Sequence, residues 1–434
     1  VQGHEKGHIR RMPIKTIKID SLPSRAILLA AAAVLLTGAF FSVRWGLANT
    51  AASKADYKEV AELLISWAPD DPQTHYTSAV LHEKTFLPED MPVSLSEYEQ
   101  AAALGPHNFL LWLELGKARE RSGDPVTAER TLRKALELAP NYAQVRWALG
   151  NNLLRQGRSD EAFAEIRQAA SSDEKYVGPA ASMAWQVLDG DINLVRHTIG
   201  DSARINVALS AILMGQKRLD EAFAIWESLT AEEKSVTYKQ ASSDLYGQLI
   251  DARKYRAALT VFSSALAGTD DEGSPGKISN GGFENAIKPL NAAVFEWQIA
   301  EALKPQIAAD TAQKHSGMRS LVLIFNSGDG KDFRTISQTI VVEPGKTYQF
   351  EVFYKSDLKT AATLKWEVAG FADGKILSTE PVAESADWTP QRLKFTVPAN
   401  TEAIAVRLAR VACRSGLCPI SGRIWFDDLV LTTE

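Results

Sequence analysis

The side chains able to do chemistry in this sequence are two cysteines, seven histidines and a scatter of carboxylates. None falls into a catalytic spacing. There is no His-Glu-x-x-His, which would put two zinc ligands on one helix face, and no Gly-x-Ser-x-Gly, which would raise a nucleophile on a tight turn. Pro344-Gly-Lys-Thr347 imitates the end of a phosphate loop, but Ile340 stands where the first glycine belongs, and a strand pattern follows instead of a helix. His75 and His82 could share a helix face, yet two ligands without a third suit packing better than a metal. Cys413 and Cys418 have four residues between them where a redox pair has two. Outside the cytoplasm they would close a small structural disulfide; otherwise they are two plain thiols. Glu351 and Glu367 could face one another across neighbouring strands, as cleavage of a glycosidic bond requires of two carboxylates. No cleft pattern accompanies them. The expectation is a protein that binds and does not catalyse.

Composition agrees. A chain of 434 residues with 45% hydrophobic and 23% charged residues is globular, and long enough for two or three domains. A net charge of −5 gives no basic face for nucleic acid, and two cysteines exclude both a disulfide-rich scaffold and a four-cysteine metal site.

Three elements must carry whatever binding there is. Ala26 to Val43 is an eighteen-residue run without a charge, extendable past Arg44 and Trp45 to Ala48, which predicts a transmembrane segment over 26–48. Lys6, Arg10, Arg11, Lys15, Lys18 and Arg25 precede it, so residues 1–25 are expected in the cytoplasm and the bulk outside it. A cleaved signal peptide is the competing reading, although its apolar core is normally about 7–15 residues.

From 55 to 268 the sequence has a period of 34. Trp112, Leu115, Gly116, Ala128, Leu132 and Ala135 shift onto Arg146, Leu149, Gly150, Ala162, Ile166 and Ala169. This pattern resembles the tetratricopeptide repeat, an all-α solenoid of antiparallel helix pairs. Looser copies involve Tyr98 and Ala101 upstream, and Leu209, Ala222, Leu245 and Ala258 downstream. The resemblance implies a groove for a protein segment, lined by Leu113, Lys117, Trp147, Asn151 and Arg155. Asn151 would bond a ligand backbone, with Lys117 and Arg155 attracting a carboxylate. The competing reading makes Trp147 core and the charges a solvated face.

After a linker at 269–277 the period becomes two: Tyr348, Phe350, Val352 and Tyr354, then Leu364, Trp366 and Val368, then Leu393, Phe395 and Val397, then Ile404, Val406 and Leu408. Alternation of this kind predicts an antiparallel sandwich over 278–434. Asn280-Gly-Gly-Phe-Glu284, Gly317-Met-Arg-Ser-Leu321, Val342-Glu-Pro-Gly-Lys-Thr-Tyr348, Trp388 and Trp425-Phe-Asp-Asp-Leu429 resemble, in this order, a carbohydrate-binding-module jelly roll. The resemblance implies a structural calcium ion at Glu284 with Asp427 or Asp428, as hard oxygen ligands allow; a solvated acidic strand end is the alternative. It also implies a glycan- or partner-binding sheet face. By alternation that face carries Glu351, Phe353, Lys355, Lys365, Glu367 and Arg407, with Phe353 its one aromatic and Trp388 and Trp425 left to the framework.

The whole therefore reads as multidomain: a single transmembrane helix, a tetratricopeptide-type solenoid and an all-β jelly-roll sandwich. Chains combining such modules resemble accessory proteins of bacterial exopolysaccharide or surface-glycan assembly. That implies an adaptor on the bacterial inner membrane, single-pass with its bulk periplasmic, holding a protein of the membrane-associated assembly machinery and a polysaccharide. A carbohydrate-active enzyme with an unrecognised site and a purely structural assembly factor are the alternatives.

Overall fold

The computed structural model describes residues 22–267, 274–328, 332–411, 413 and 417–433. Most of the basic segment before the apolar run, and much of the expected linker, lie outside these residues. The described chain is a helical region followed by a sandwich of two antiparallel sheets. The helices are α1 (Leu22–Ala52), α2 (Lys58–Trp67), α3 (Pro72–Glu83), α4 (Asp90–Leu104), α5 (Phe109–Arg121), α6 (Pro125–Leu138), α7 (Ala143–Arg155), α8 (Ser159–Ser172), α9 (Val177–Val187), α10 (Ile192–Ile199), α11 (Ala203–Gly215), α12 (Leu219–Glu227), α13 (Lys239–Asp251) and α14 (Tyr255–Val261). The residues up to Gly190, with 197–199, make one compact unit; 191–196 and everything from Gly200 onward make a second.

In the first unit α1 is one uninterrupted helix of 31 residues whose apolar side chains are exposed, long and apolar enough to cross a membrane. Its last turns are packed: Ala48 and Ala52 meet Leu64 and Ala68 at the end of α2. Asn49 donates to both carboxylate oxygens of Asp71 at 3.1 and 3.2 Å, and the Thr77 hydroxyl donates to the carbonyl of Ala52.

The repeat is visible as a repeated contact. Trp112 Nε1 donates to the carbonyl of Pro106, and 34 residues on Arg146 Nε donates to the carbonyl of Pro140, at 2.9 and 2.8 Å. His75 Nε2 makes the same contact with Pro69. Each proline ends one helical pair, where its ring cannot continue the helix, and a side chain six residues later takes up its carbonyl. Asp71, Asn108 and Asp124 cap α3, α5 and α6, with proline following both aspartates. Glycines set the spacing inside each pair. A Cβ on Gly116 would stand 2.6 Å from Leu132, and one on Gly150 would stand 2.7 Å from Ile166.

In the second unit α11 and α12, then α13 and α14, form two more pairs around Leu209, Leu213, Ala222, Trp226, Leu245, Leu249 and Ala258. They continue into the sandwich. Tyr246 and Phe262 pack on Phe295, the Tyr246 hydroxyl accepts from the amide of Val294, and Arg256 donates to the carbonyl of Val342.

The strands are β1 (Gln298–Ile299), β2 (Gln306–Asp310), β3 (Ser320–Ser327), β4 (Ile336–Val341), β5 (Thr347–Ser356), β6 (Lys359–Thr360), β7 (Thr363–Ala369), β8 (Leu377–Ser378), β9 (Ser385–Thr396), β10 (Ala403–Val411) and β11 (Ile420–Thr433). One sheet has the order β1-β4-β10-β7-β8, the other β2-β3-β11-β5-β9, with β6 on β11. Trp366, Tyr348, Phe350, Phe426 and Phe283 fill the space between them. Strand β5 alternates without a fault between half-buried and buried positions, as its sequence predicts. A break in register between Asp427 and Val430 on β11, with Asp428 at φ +50°, turns two adjacent carboxylates toward one place.

Candidate functional site

The outer face of the β2-β3-β11-β5-β9 sheet carries the most distinctive group of side chains. Phe353 lies on it, paired across the strands with Asp427 on one side and Pro390 on the other. The loop between β2 and β3 folds over this face and lays His315 on the Phe353 ring, with centroids 3.8 Å apart and planes 13° from parallel. Trp388 is half-buried beside them, 5.8 Å from the imidazole. Lys355, one step along the strand, donates to Gln313 of the same loop at 2.9 Å. Three flat rings with adjoining amide and ammonium groups form a surface on which a sugar ring can stack while its hydroxyls find partners.

Carboxylates hold the loop in place. Asp427 is wholly buried; its Oδ2 accepts from the amides of His315 (2.8 Å) and Ser316 (3.2 Å), and its Oδ1 from the amide of Asp428. Burial pushes its pKa above the ordinary carboxylate range against those three N–H donors. Asp428 meets His315 Nδ1 at 2.6 Å and accepts from the Ser316 hydroxyl at 2.7 Å. Glu284 accepts from the amide of Met318 at 2.8 Å. Two glycines of the sequence motifs make this possible. A Cβ on Gly281 would strike the Leu429 carbonyl at 2.0 Å, and one on Gly317, at φ +57°, would strike Glu284 at the same distance.

Glu284, Asp427 and Asp428 are hard oxygen donors of the kind calcium takes, and Asp428 pairs with His315. Both oxygens of Asp427 and of Asp428, and Oε1 of Glu284, are already met by hydrogen-bond partners of the chain. Among the described residues no three His, Cys, Asp or Glu side chains stand as a metal-holding group.

The six residues expected on one sheet face do not share one. Glu351, Phe353 and Lys355 are on β5, while Lys365, Glu367 and Arg407 are on β7 and β10 of the other sheet. There Arg407 donates to Glu367 twice, at 3.0 and 2.8 Å, and Lys365 stands 3.6 Å from the same carboxylate, leaving it nearly buried. Glu351 is held by Arg392 across the β5–β9 pair. The two glutamates thus belong to different sheets and cannot act across one glycosidic bond. His315 and Trp388 were not among the expected site residues. His315 comes from a loop with no pattern of its own. Trp388 was readable: counting back from inward Phe395 in steps of two puts position 388 on the outward side.

Residues 276–409 match the family model of a carbohydrate binding domain. Residues 89–143 and 113–177 match that of the tetratricopeptide repeat. Neither is a catalytic domain, and no curated protein matches the chain. Among solved structures, a carbohydrate-binding module in complex with β-1,4-galactotriose is similar at 14% identity and a TM-score of 0.28, covering 37% of this chain and all of the other. A family 4 carbohydrate-binding module is similar at 18% identity and 0.27, over 36% and 99% of the two chains. The protein MamA is similar at 16% identity and 0.31, over 37% and 89%.

The platform of Phe353, His315 and Trp388 therefore lies inside the segment that matches the carbohydrate binding domain. In the repeats, Leu113 is wholly buried among Leu132, Val145 and Leu149, so it belongs to the core and not to a groove. Trp147 is half-buried and stacks on Tyr176, centroids 5.0 Å apart. Asn151 donates to the Trp147 carbonyl one turn back. Lys117 pairs with Glu114 at 2.8 Å and Arg155 with Glu120 at 3.4 Å, so each cation already has its own counter-charge. Cys413 and Cys418 are joined as a disulfide.

Proposed function

We propose that this protein is a non-catalytic scaffold, anchored by α1 in a bacterial inner membrane with its bulk in the periplasm. Its sandwich binds a polysaccharide and its helical repeats hold a protein partner of the envelope-glycan or exopolysaccharide assembly machinery. The observation that carries the reading is the Phe353–His315 stack with Trp388 beside it, a ring surface flanked by Lys355 and Gln313 within the region matching a carbohydrate binding domain. Anchoring raises the effective concentration of both modules near membrane machinery, so each contact can be weak on its own.

The test is calorimetric titration of the full chain in detergent with the host's own surface polysaccharide. Saturable heat whose affinity falls roughly tenfold in Phe353→Ala and Trp388→Ala, and is unchanged in Lys365→Ala, supports the reading. Heat that is absent, or an affinity that falls equally in all three, overturns it. A calcium ion held by Glu284, Asp427 and Asp428 belongs to the same proposal, supported by their hard-oxygen chemistry and by Asp427 and Asp428 meeting the same loop at His315 and Ser316.

A further inference from the structure

Helix α2 has two apolar stripes. Leu64, with Ala68 just beyond the helix, packs on Ala48 and Ala52 of α1, and Ala61 is wholly buried. Val60, Leu63 and Trp67 form a second line at i, i+3 and i+7, and they are 41, 57 and 48% exposed. At 3.6 residues per turn they fall within one sector of about 60°. Glu59, Glu62 and Ser66 lie outside it. A helix on the surface of a soluble fold buries one stripe and turns charge outward. A second stripe asks for a second partner.

Helix α1 shows what that partner is. The guanidinium of Arg44 donates to the carbonyl of Ser66 at 2.9 Å, so α2 runs back along α1 and the two are level there. Trp67 faces Phe40, Val43, Arg44 and Leu47 across a cleft of about 370 Å³, apolar but for Arg44. This is the outer end of the uncharged run Ala26–Val43, the level at which a spanning helix leaves a hydrocarbon core about 30 Å thick. Tryptophan concentrates at this boundary, where its ring is buried and its N–H stays wet. Leu63 and Val60 stand about 6 and 10 Å further along the helix at about 1.5 Å per residue. Headgroups add about 5–7 Å on each side of the core, so Leu63 stands among them and Val60 just beyond, at the water surface of the bilayer.

We propose that α2 is an interfacial helix. Val60, Leu63 and Trp67 contact the outer leaflet surface of the same bilayer that α1 crosses, Trp67 deepest, and acyl chains fill the α1–α2 cleft. This rests on the reading of α1 as a membrane anchor. Asn49–Asp71 and Thr77–Ala52 join α1 to α3, so the bilayer then fixes the height of the first helical pair directly, without a flexible tether.

The experiment places single cysteines at 60, 63 and 67, with Glu62→Cys on the polar side and Leu36→Cys in the middle of α1. Each full-length variant is labelled with a polarity-sensitive fluorophore and reconstituted in phosphatidylcholine–phosphatidylglycerol nanodiscs containing a lipid-borne quencher. The expected result is blue-shifted emission and loss of fluorescence in the order 36, 67, 63, 60, with label 62 reporting water. Labels 60, 63 and 67 reporting water while label 36 reports hydrocarbon overturns the interfacial helix and leaves the anchor standing. Label 36 reporting water overturns both. Should Trp67→Cys fail to fold, the contrast between 63 and 62, both exposed positions of one helix, decides alone.

Discussion

The imidazole of His315 lies flat on the ring of Phe353, 3.8 Å between centroids, although the residues are 38 positions apart and only one is on a strand. The loop that brings His315 there is tied down by Asp427 and Asp428. The ring platform and the two acids behind it are therefore one construction, and disturbing either disturbs both.

Removing a ring from this surface should weaken saccharide binding without unfolding the sandwich. Phe353→Ala and Trp388→Ala are each expected to cost about 1–2 kcal/mol, roughly a tenfold loss of affinity, by titration calorimetry. Thermal unfolding of the same variants provides the control, because both rings are on the outer face.

The acids titrate in opposite directions. Asp427 is pushed above the ordinary range by burial, so the folded state holds its proton more tightly than the unfolded chain does. Its contribution to stability is present below the unfolded value near 3.8 and is lost as pH rises through the folded one. Asp310 is half-buried, and against the desolvation this brings, the indole N–H of Trp425 and the amides of Ala312 and Gln313 prevail and lower its pKa. Its contribution is present at neutral pH and lost as pH falls through the folded value. Between about pH 3 and about pH 7, the wild-type advantage in Tm over Asp427→Asn should shrink as pH rises, and that over Asp310→Asn should shrink as pH falls.

A calcium ion held as proposed would act on the same carboxylates. Adding it to chelator-treated protein should raise the Tm of the sandwich and reverse the pH dependence of the Asp427 contribution, since the ion takes only the ionised form. An unchanged Tm would leave the charge of Glu284, Asp427 and Asp428 to His315 and the loop amides.

Two helical glycines should respond to the same substitution with opposite sign. Gly116→Ala forces a methyl to within 2.6 Å of Leu132, and the expected loss is about 1–3 kcal/mol. Gly247 in α13 has nothing within 4 Å of an added Cβ, so Gly247→Ala should stabilise by up to about 1 kcal/mol. Chemical denaturation followed by circular dichroism reads both.

Much of this was legible in the sequence. The 34-residue shift located Gly116 and Gly150 at the crossings of their helix pairs, and alternation located β5, β7, β9 and β10. What failed has a physical cause. Alternation tells which side of its own sheet a residue takes, but not which sheet its strand joins, so Phe353 and Arg407 were grouped although their strands lie in different sheets. β3 gave no alternation because Leu321, Val322 and Leu323 are all buried. Leu113 and Trp147 hold the same place in successive repeats, yet one is core and the other half-buried, a difference made by neighbouring helices and not by register.

The packing of Tyr246 and Phe262 on Phe295 has a consequence for how this chain can be cut. A protease, or a gene fusion, that severed the chain between α14 and the sandwich would lay open an aromatic seam and strip Val342 of the Arg256 bond. The fragment that survives digestion should therefore begin ahead of α11 and carry four helices with its sandwich. In any rearrangement of modules, those helices and that sandwich would be inherited together.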